Sequence, residues 1–258
     1  MLDAAVVVPG PPAFVPELMG SAADELDDLR RAADSALSRA VSDLLAVSSG
    51  SPSSAPVSTQ LVIVGPGDPA EFNAAGPVSF AGFGRDVTVP ALAAGESVDS
   101  DLPTPLMVAR YLAARDVASH PEHRGLWASA QWVTTSGAES TTLGERLRDS
   151  GTRIVLILVA DGAVCHGAKA PMAEDARAGS FDEEVCAALG SGQVARLARV
   201  DADLGLELGA SGPKVWPVLF TAAAGEGIGE VLWHGAPYGV GWAVATWHPA
   251  PRGGSSLT

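Results

Sequence analysis

The chain opens with an apolar run, Leu2 to Val8, broken only by Asp3 and ending in three valines, as expected of a strand covered on both faces. It stops at Pro9-Gly10-Pro11-Pro12. Beyond that turn Ser21 is placed as an N-cap, and Asp24 and Glu25 suit the positive end of a helix dipole. Apolar residues then recur at Leu26, Leu29, Ala33, Leu37, Ala40, Val41 and Leu44, the spacing of a helix with one buried face. Leu61 to Val64 repeats the opening pattern and runs into Gly65-Pro66-Gly67-Asp68-Pro69. A strand, helix and strand of this length predict a right-handed parallel crossover, which sends both Pro/Gly turns off the same carboxyl edge of a sheet. In open α/β sheets that edge is where sites are built.

Gly65 to Pro105 is rich in small residues and reads as elaborated loop or edge structure, with a strand at Asp86 to Val89. Thr104 to Ala114 is a helix with Leu106, Val108, Ala109 and Leu112 near one face, followed by a strand around Trp127 to Thr134. A further helix from Thr141 ends at Gly151, which suits a left-handed C′ position. Ile154 to Val159, the strongest apolar run, predicts a central strand over Arg153 to Ala160. Phe181 to Leu189 and Val194 to Leu206 read as helices, as does Lys214 to Ala224 with Pro217 in or near its first turn. Val231 to His234 and Tyr238 to Trp247 form two strands around a turn, and Ser48 to Ser58 is a surface loop. The succession predicts one α/β domain over 1–250, a three-layer sandwich with a largely parallel or mixed central sheet flanked by helices. A short flexible tail follows at 251–258.

Composition narrows the partners. The 258 residues carry a formal charge of −14, a field that repels phosphate backbones and anionic lipids and argues against nucleic acid and membrane surfaces. Asp3 denies the amino terminus a basic signal region, and no stretch approaches the roughly 20 apolar residues of a membrane span. A cytoplasmic location is expected. Cys165 and Cys186 are too few for a disulfide framework, and no Cys/His spacing suggests structural zinc. Trp127, Trp132, Trp216, Trp233, Trp242 and Trp247 are expected in the core or at an interface, where exposed aromatics of the last hairpin would suit a homodimer.

Phosphate loops, nucleophile elbows and zinc-protease helices are all missing. The glycine-rich Gly225-Glu226-Gly227-Ile228-Gly229 follows a helix rather than a strand, which fits a turn better than a dinucleotide site. Four features taken in order do carry a resemblance: Pro9-Gly10-Pro11-Pro12 with Val15-Pro16-Glu17-Leu18; Val64-Gly65-Pro66-Gly67; Phe181-Asp182 ahead of a helix; and Ala236-Pro237-Tyr238-Gly239-Val240-Gly241-Trp242. Together they resemble the class III extradiol ring-cleavage dioxygenase B-subunit family and its Memo-like relatives, over nearly the whole chain.

The resemblance implies two histidines and a carboxylate holding Fe(II) in active members. Gly10 and Gly67 stand at the histidine positions here, so no metal and no cofactor are expected. Asp68 beside the second position could offer an oxygen or simply bond backbone N–H groups, and Glu207 falls at the carboxylate position or is a solvated helix-end residue. The resemblance also places an acid/base histidine after the central strand, and His166 in Asp161-Gly162-Ala163-Val164-Cys165-His166-Gly167 matches best. Cys165 reads as a buried inert thiol.

The expected site is therefore a remnant cleft of Gly10, Gly67, Asp68, Asp161, Cys165 and Glu207, with His166 as candidate catalytic residue. The expected function is that of a non-catalytic or functionally diverged homologue that lacks the Fe(II) site and can bind a small molecule or protein partner in the remnant cleft. The alternatives are an enzyme with relocated, metal-independent acid/base chemistry and a subunit or scaffold of a larger oxidoreductase assembly. His120 and His123, three apart in a polar loop, would share a metal only on a helix, which Pro121 limits to a first turn. His234 and His248 are expected to face solvent.

Overall fold

The computed structural model describes residues 1–48, 58–99 and 101–251. The first half contains β1 (Leu2–Val8), α1 (Pro16–Met19), α2 (Asp27–Ser48), β2 (Thr59–Pro66), β3 (Ala70–Phe72), β4 (Val78–Ser79), β5 (Thr88–Val89) and α3 (Thr104–Ser119). Then come α4 (Arg124–Ala128), β6 (Gln131–Thr135), α5 (Ala138–Asp149), β7 (Arg153–Val159) and α6 (Ala178–Gly190). The chain closes with α7 (Val194–Leu197), α8 (Ala202–Glu207), α9 (Gly212–Ala222), β8 (Gly227–Gly235) and β9 (Trp242–Pro249). Most of the Ser48 to Ser58 loop and nearly all of the expected tail lie outside the described residues.

Seven strands form one sheet in the order β3-β6-β2-β7-β1-β9-β8, and β4 pairs with β5 separately. β6, β2, β7 and β1 run parallel, while β3 and β9 join antiparallel at either side. Ile157 stands in register between Val6 and Ile63, and Leu158 between Val7 and Val64. Because side chains alternate along a strand, the first three enter a core with α2 and α3, and the second three enter a core with α5, α6 and α9. Each such residue contributes about 1.5–3 kcal/mol by leaving water, which explains why these strands are apolar throughout rather than alternating. The result is the expected three-layer α/β domain.

Several boundaries differ from the sequence reading. Helix α2 begins at Asp27, because Gly20–Leu26 is a 3₁₀ segment in which Ser21 caps nothing. Buried Arg30 fastens that segment by donating to Ala23 O, and ties it to the preceding turn by donating to Phe14 O at 2.9 Å and Ala13 O at 3.0 Å, while pairing with Asp27. The helix expected over Val194 to Leu206 is two short ones, since the Asp201 carboxylate accepts the Leu204 N–H and starts α8 afresh. Trp127 belongs to α4 rather than to a strand, held by an indole bond to Asp116. Pro217 lies inside α9, and Tyr238 sits in a turn at φ 59° rather than in β9. The strand expected from Asp86 is only Thr88–Val89. Gly151 has φ 71°, as a C′ glycine should.

Candidate functional site

Parallel β1 and β7 end side by side, and the chain leaving β7 builds the site. Asp161 is fixed through its backbone: its carbonyl accepts the Ser211 and Gly212 N–H groups at 3.0 and 3.1 Å, and its own N–H reaches Ser211 Oγ at 2.8 Å. Its Oδ1 accepts the Gly10 N–H at 3.1 Å. Burial pushes the Asp161 carboxyl up to about 6, against the opposing pull of that N–H. The next residues are stitched to the approach to β9, Gly162 N–H to Gly241 O and Gly241 N–H to Ala163 O, both at 2.7 Å.

This stitching encloses a pair that the sequence reading had not joined. His166 Nε2 lies 2.6 Å from Asp182 Oδ2, and Asp182 Oδ1 accepts the Ala163 N–H at 3.0 Å. The carboxylate, brought in by α6, is wedged against two glycines: a Cβ on Gly162 would lie 2.3 Å from Oδ1, and one on Gly241 1.7 Å from Oδ2. A side chain at either position would displace the Asp182 carboxylate. Burial raises the Asp182 pKa, while the Ala163 N–H and His166 pull it down. A carboxylate on one imidazole nitrogen fixes ring orientation and supports positive charge, as in acid/base dyads.

The pair opens on a cavity of about 260 Å³, whose wall also includes Asp161, Cys186, Trp216, Trp242 and His234. Trp216 and Trp242 are buried, and the indole N–H of each lacks an acceptor among the described residues. Two such donors, shut away from solvent, are costly to leave unpaired. Cys186 is a poor nucleophile there, since burial and then Asp182 and Glu183 raise its thiol to about 11.

The expected cleft is not assembled as one site. Asp161 and His166 do come together. Gly10 contributes only its N–H, because the space a side chain would need is filled: its Cβ would lie 2.8 Å from Val159 Cγ1 and 3.1 Å from Pro105 Cβ. Gly67 lies against Thr134 beside β6, where the hydroxyl of Thr134 donates to Asp68 O at 2.5 Å, and Asp68 is exposed outside the cavity wall. Cys165 is buried behind the wall, its thiol 3.6 Å from Leu208 O and its pKa raised by burial first. Glu207 points outward to Arg177 at 3.2 Å. Both cysteines are free thiols.

Asp182, Cys186 and the two indoles were missed as site residues. The signal available was the pair Gly162 and Gly241, which marks a close approach, with an acid early in the helix that follows. His234 is exposed as expected yet lines the cavity. His120 and His123 are not a loop pair in solvent: the 3₁₀ turn Pro121–His123 stacks their rings with centroids 5.0 Å apart, and His123 is buried. Among the described residues, no helix is long and apolar enough to cross a membrane.

The sequence matches no protein-family model and no curated protein. Among solved structures, the chain is similar to uncharacterized protein JW3007 from Escherichia coli K12, with 15% identity, coverage of 95% of this chain and 99% of that chain, and a TM-score of 0.44.

Proposed function

We propose that this chain binds a small organic molecule in the cavity beside His166 and Asp182, as an iron-independent relative of the extradiol dioxygenase B-subunits. The observation carrying the reading is the half-open cavity that Trp216 and Trp242 wall together with a histidine oriented by a carboxylate. The resemblance supplies the family, and Gly10 and Gly67 remove its chemistry: neither has a side chain to ligate, and a Cβ at Gly10 would press on Val159. No phosphorylated ligand is expected, since the described lining residues include no Lys or Arg.

Tryptophan fluorescence during titration with a panel of phenols, aromatic amines and aromatic acids tests this. A saturable change lost in Trp242→Phe is expected, with no oxygen uptake from catechol after Fe(II) is added. Stoichiometric iron with catechol turnover, or silence across the panel, would overturn the proposal.

The His166–Asp182 pair favours a second reading, in which the same site moves a proton on its ligand. Its mark is exchange of an acidic ligand C–H with D₂O by the wild type and none by His166→Gln. A homodimer is proposed too, and the outer strand β8, which ends the sheet order among the described residues and leaves Ile228 59% exposed, is the surface it would use.

A further inference from the structure

In the opposite helical layer, α2, α3 and the turn after α3 bring together Asp116, His120 and His123, with one ligand atom from each within 4.8 Å of the others. None of the three lines the His166 cavity. We propose that this cluster is a binding site for a divalent transition-metal ion of the zinc type. Two imidazoles and a carboxylate are a borderline nitrogen/oxygen set, suited to zinc rather than to magnesium or calcium, which favour all-oxygen shells.

The spacing and the supports both fit. His120 Nδ1 stands 3.5 Å from Asp116 Oδ1, and donors about 2.0–2.2 Å from a tetrahedral zinc stand roughly 3.3–3.6 Å apart. His123 Nδ1 lies 2.8 Å from Asp116 Oδ2, a hydrogen bond that must lengthen by several tenths of an ångström when an ion enters. Ser38 Oγ, 2.8 Å from Asp116 Oδ1 and 2.9 Å from His120 Nδ1, borders the same space. Behind the ligands, Trp127 donates to Asp116 Oδ2 at 2.6 Å and Ser42 Oγ lies 3.0 Å from His123 Nε2.

That last contact matters because a hydroxyl can donate or accept. Without an ion, Ser42 can donate to Nε2 while Nδ1–H bonds Asp116. With one, Nε2–H can donate to Ser42 and free the Nδ1 lone pair, the outer-sphere arrangement usual for metal-bound histidine. Entry is open, since the His120 side chain is 39% exposed and lines a second cavity of about 420 Å³ with Ser38 and Asp116. Arg115 borders that cavity as well, but its guanidinium is engaged by Asp34 at 2.5 Å.

Titration of untagged protein with Zn²⁺ by calorimetry, and with Co²⁺ by visible absorption, tests the site without any activity assay. One ion per chain is expected, with the strong visible bands of low-coordinate Co²⁺. His120→Ala, at the partly exposed position, should weaken binding at least tenfold without unfolding the chain, as circular dichroism would verify. Absence of Zn²⁺ binding, equal affinity in wild type and His120→Ala, or binding of Mg²⁺ as tight as that of Zn²⁺ would overturn the assignment.

Discussion

Asp161 shows how one residue couples the fold to the site. Its backbone is bound by Ser211 and Gly212, its carboxylate meets Gly10, and the same side chain faces the cavity. A pKa of about 6 lies above the value near 3.9 of an unfolded aspartate, so between them the folded chain holds a proton that the unfolded chain has released. Its contribution to stability is therefore complete below about pH 4 and is lost as pH rises through about 6, an amplitude of about 2–3 kcal/mol. Asp161→Asn keeps an oxygen for the Gly10 N–H and removes the titration. Urea unfolding at a series of pH values should find the variant gaining on the wild type from pH 4 to pH 7 by about that amount. Parallel curves for the two proteins would show that Asp161 does not titrate in this window.

At the scale of elements, the two Pro/Gly turns behave differently from their common pattern. The turn after β1 is closed from the side: Val159 of β7 and Pro105 of α3 fill the volume above Gly10. The turn after β2 is looser, with Thr134 of β6 at 3.2 Å from the Gly67 Cβ position. Gly10→His should thus destabilise the chain by about 1–3 kcal/mol through overpacking, and Gly67→His by less. Midpoints of chemical unfolding measure both. An unchanged midpoint for Gly10→His would mean that the strand end opens readily and that the space for a ligating side chain survives. This contrast was not legible in the sequence, where both turns read alike, because what distinguishes them is contributed by α3, β6 and β7 from far along the chain. The parallel core was legible, since Val6, Ile63 and Ile157 carry their burial in local composition. Breaks set by one polar contact, such as Asp201 on Leu204, were not, and neither was the His166–Asp182 pair, which depends on two glycines 79 positions apart meeting one carboxylate.

Across the whole molecule, charge and architecture point the same way. The net −14 is spread over a sheet whose two faces carry separate features, the Asp116 cluster with α2 and α3, and the His166 cavity with α6 and α9. Asp161, Asp182 and Glu183 face that cavity with no Lys or Arg among the described lining residues. Near pH 7 most of the Asp161 population is ionised, given its value of about 6. The local field therefore adds to that of the surface, and low-dielectric walls strengthen it. An aromatic ammonium ion would gain from these carboxylates. An aromatic carboxylate of the same size would be repelled by them. Benzylamine should accordingly bind at least tenfold more tightly than benzoate at pH 7. The gap should narrow as salt rises, because part of the field comes from solvent-screened surface charge. Fluorescence titration of both ligands at low and high ionic strength reads the effect directly. Preference for benzoate would mean that the carboxylates of the wall are protonated or turned away, and that the cavity selects by shape instead of charge.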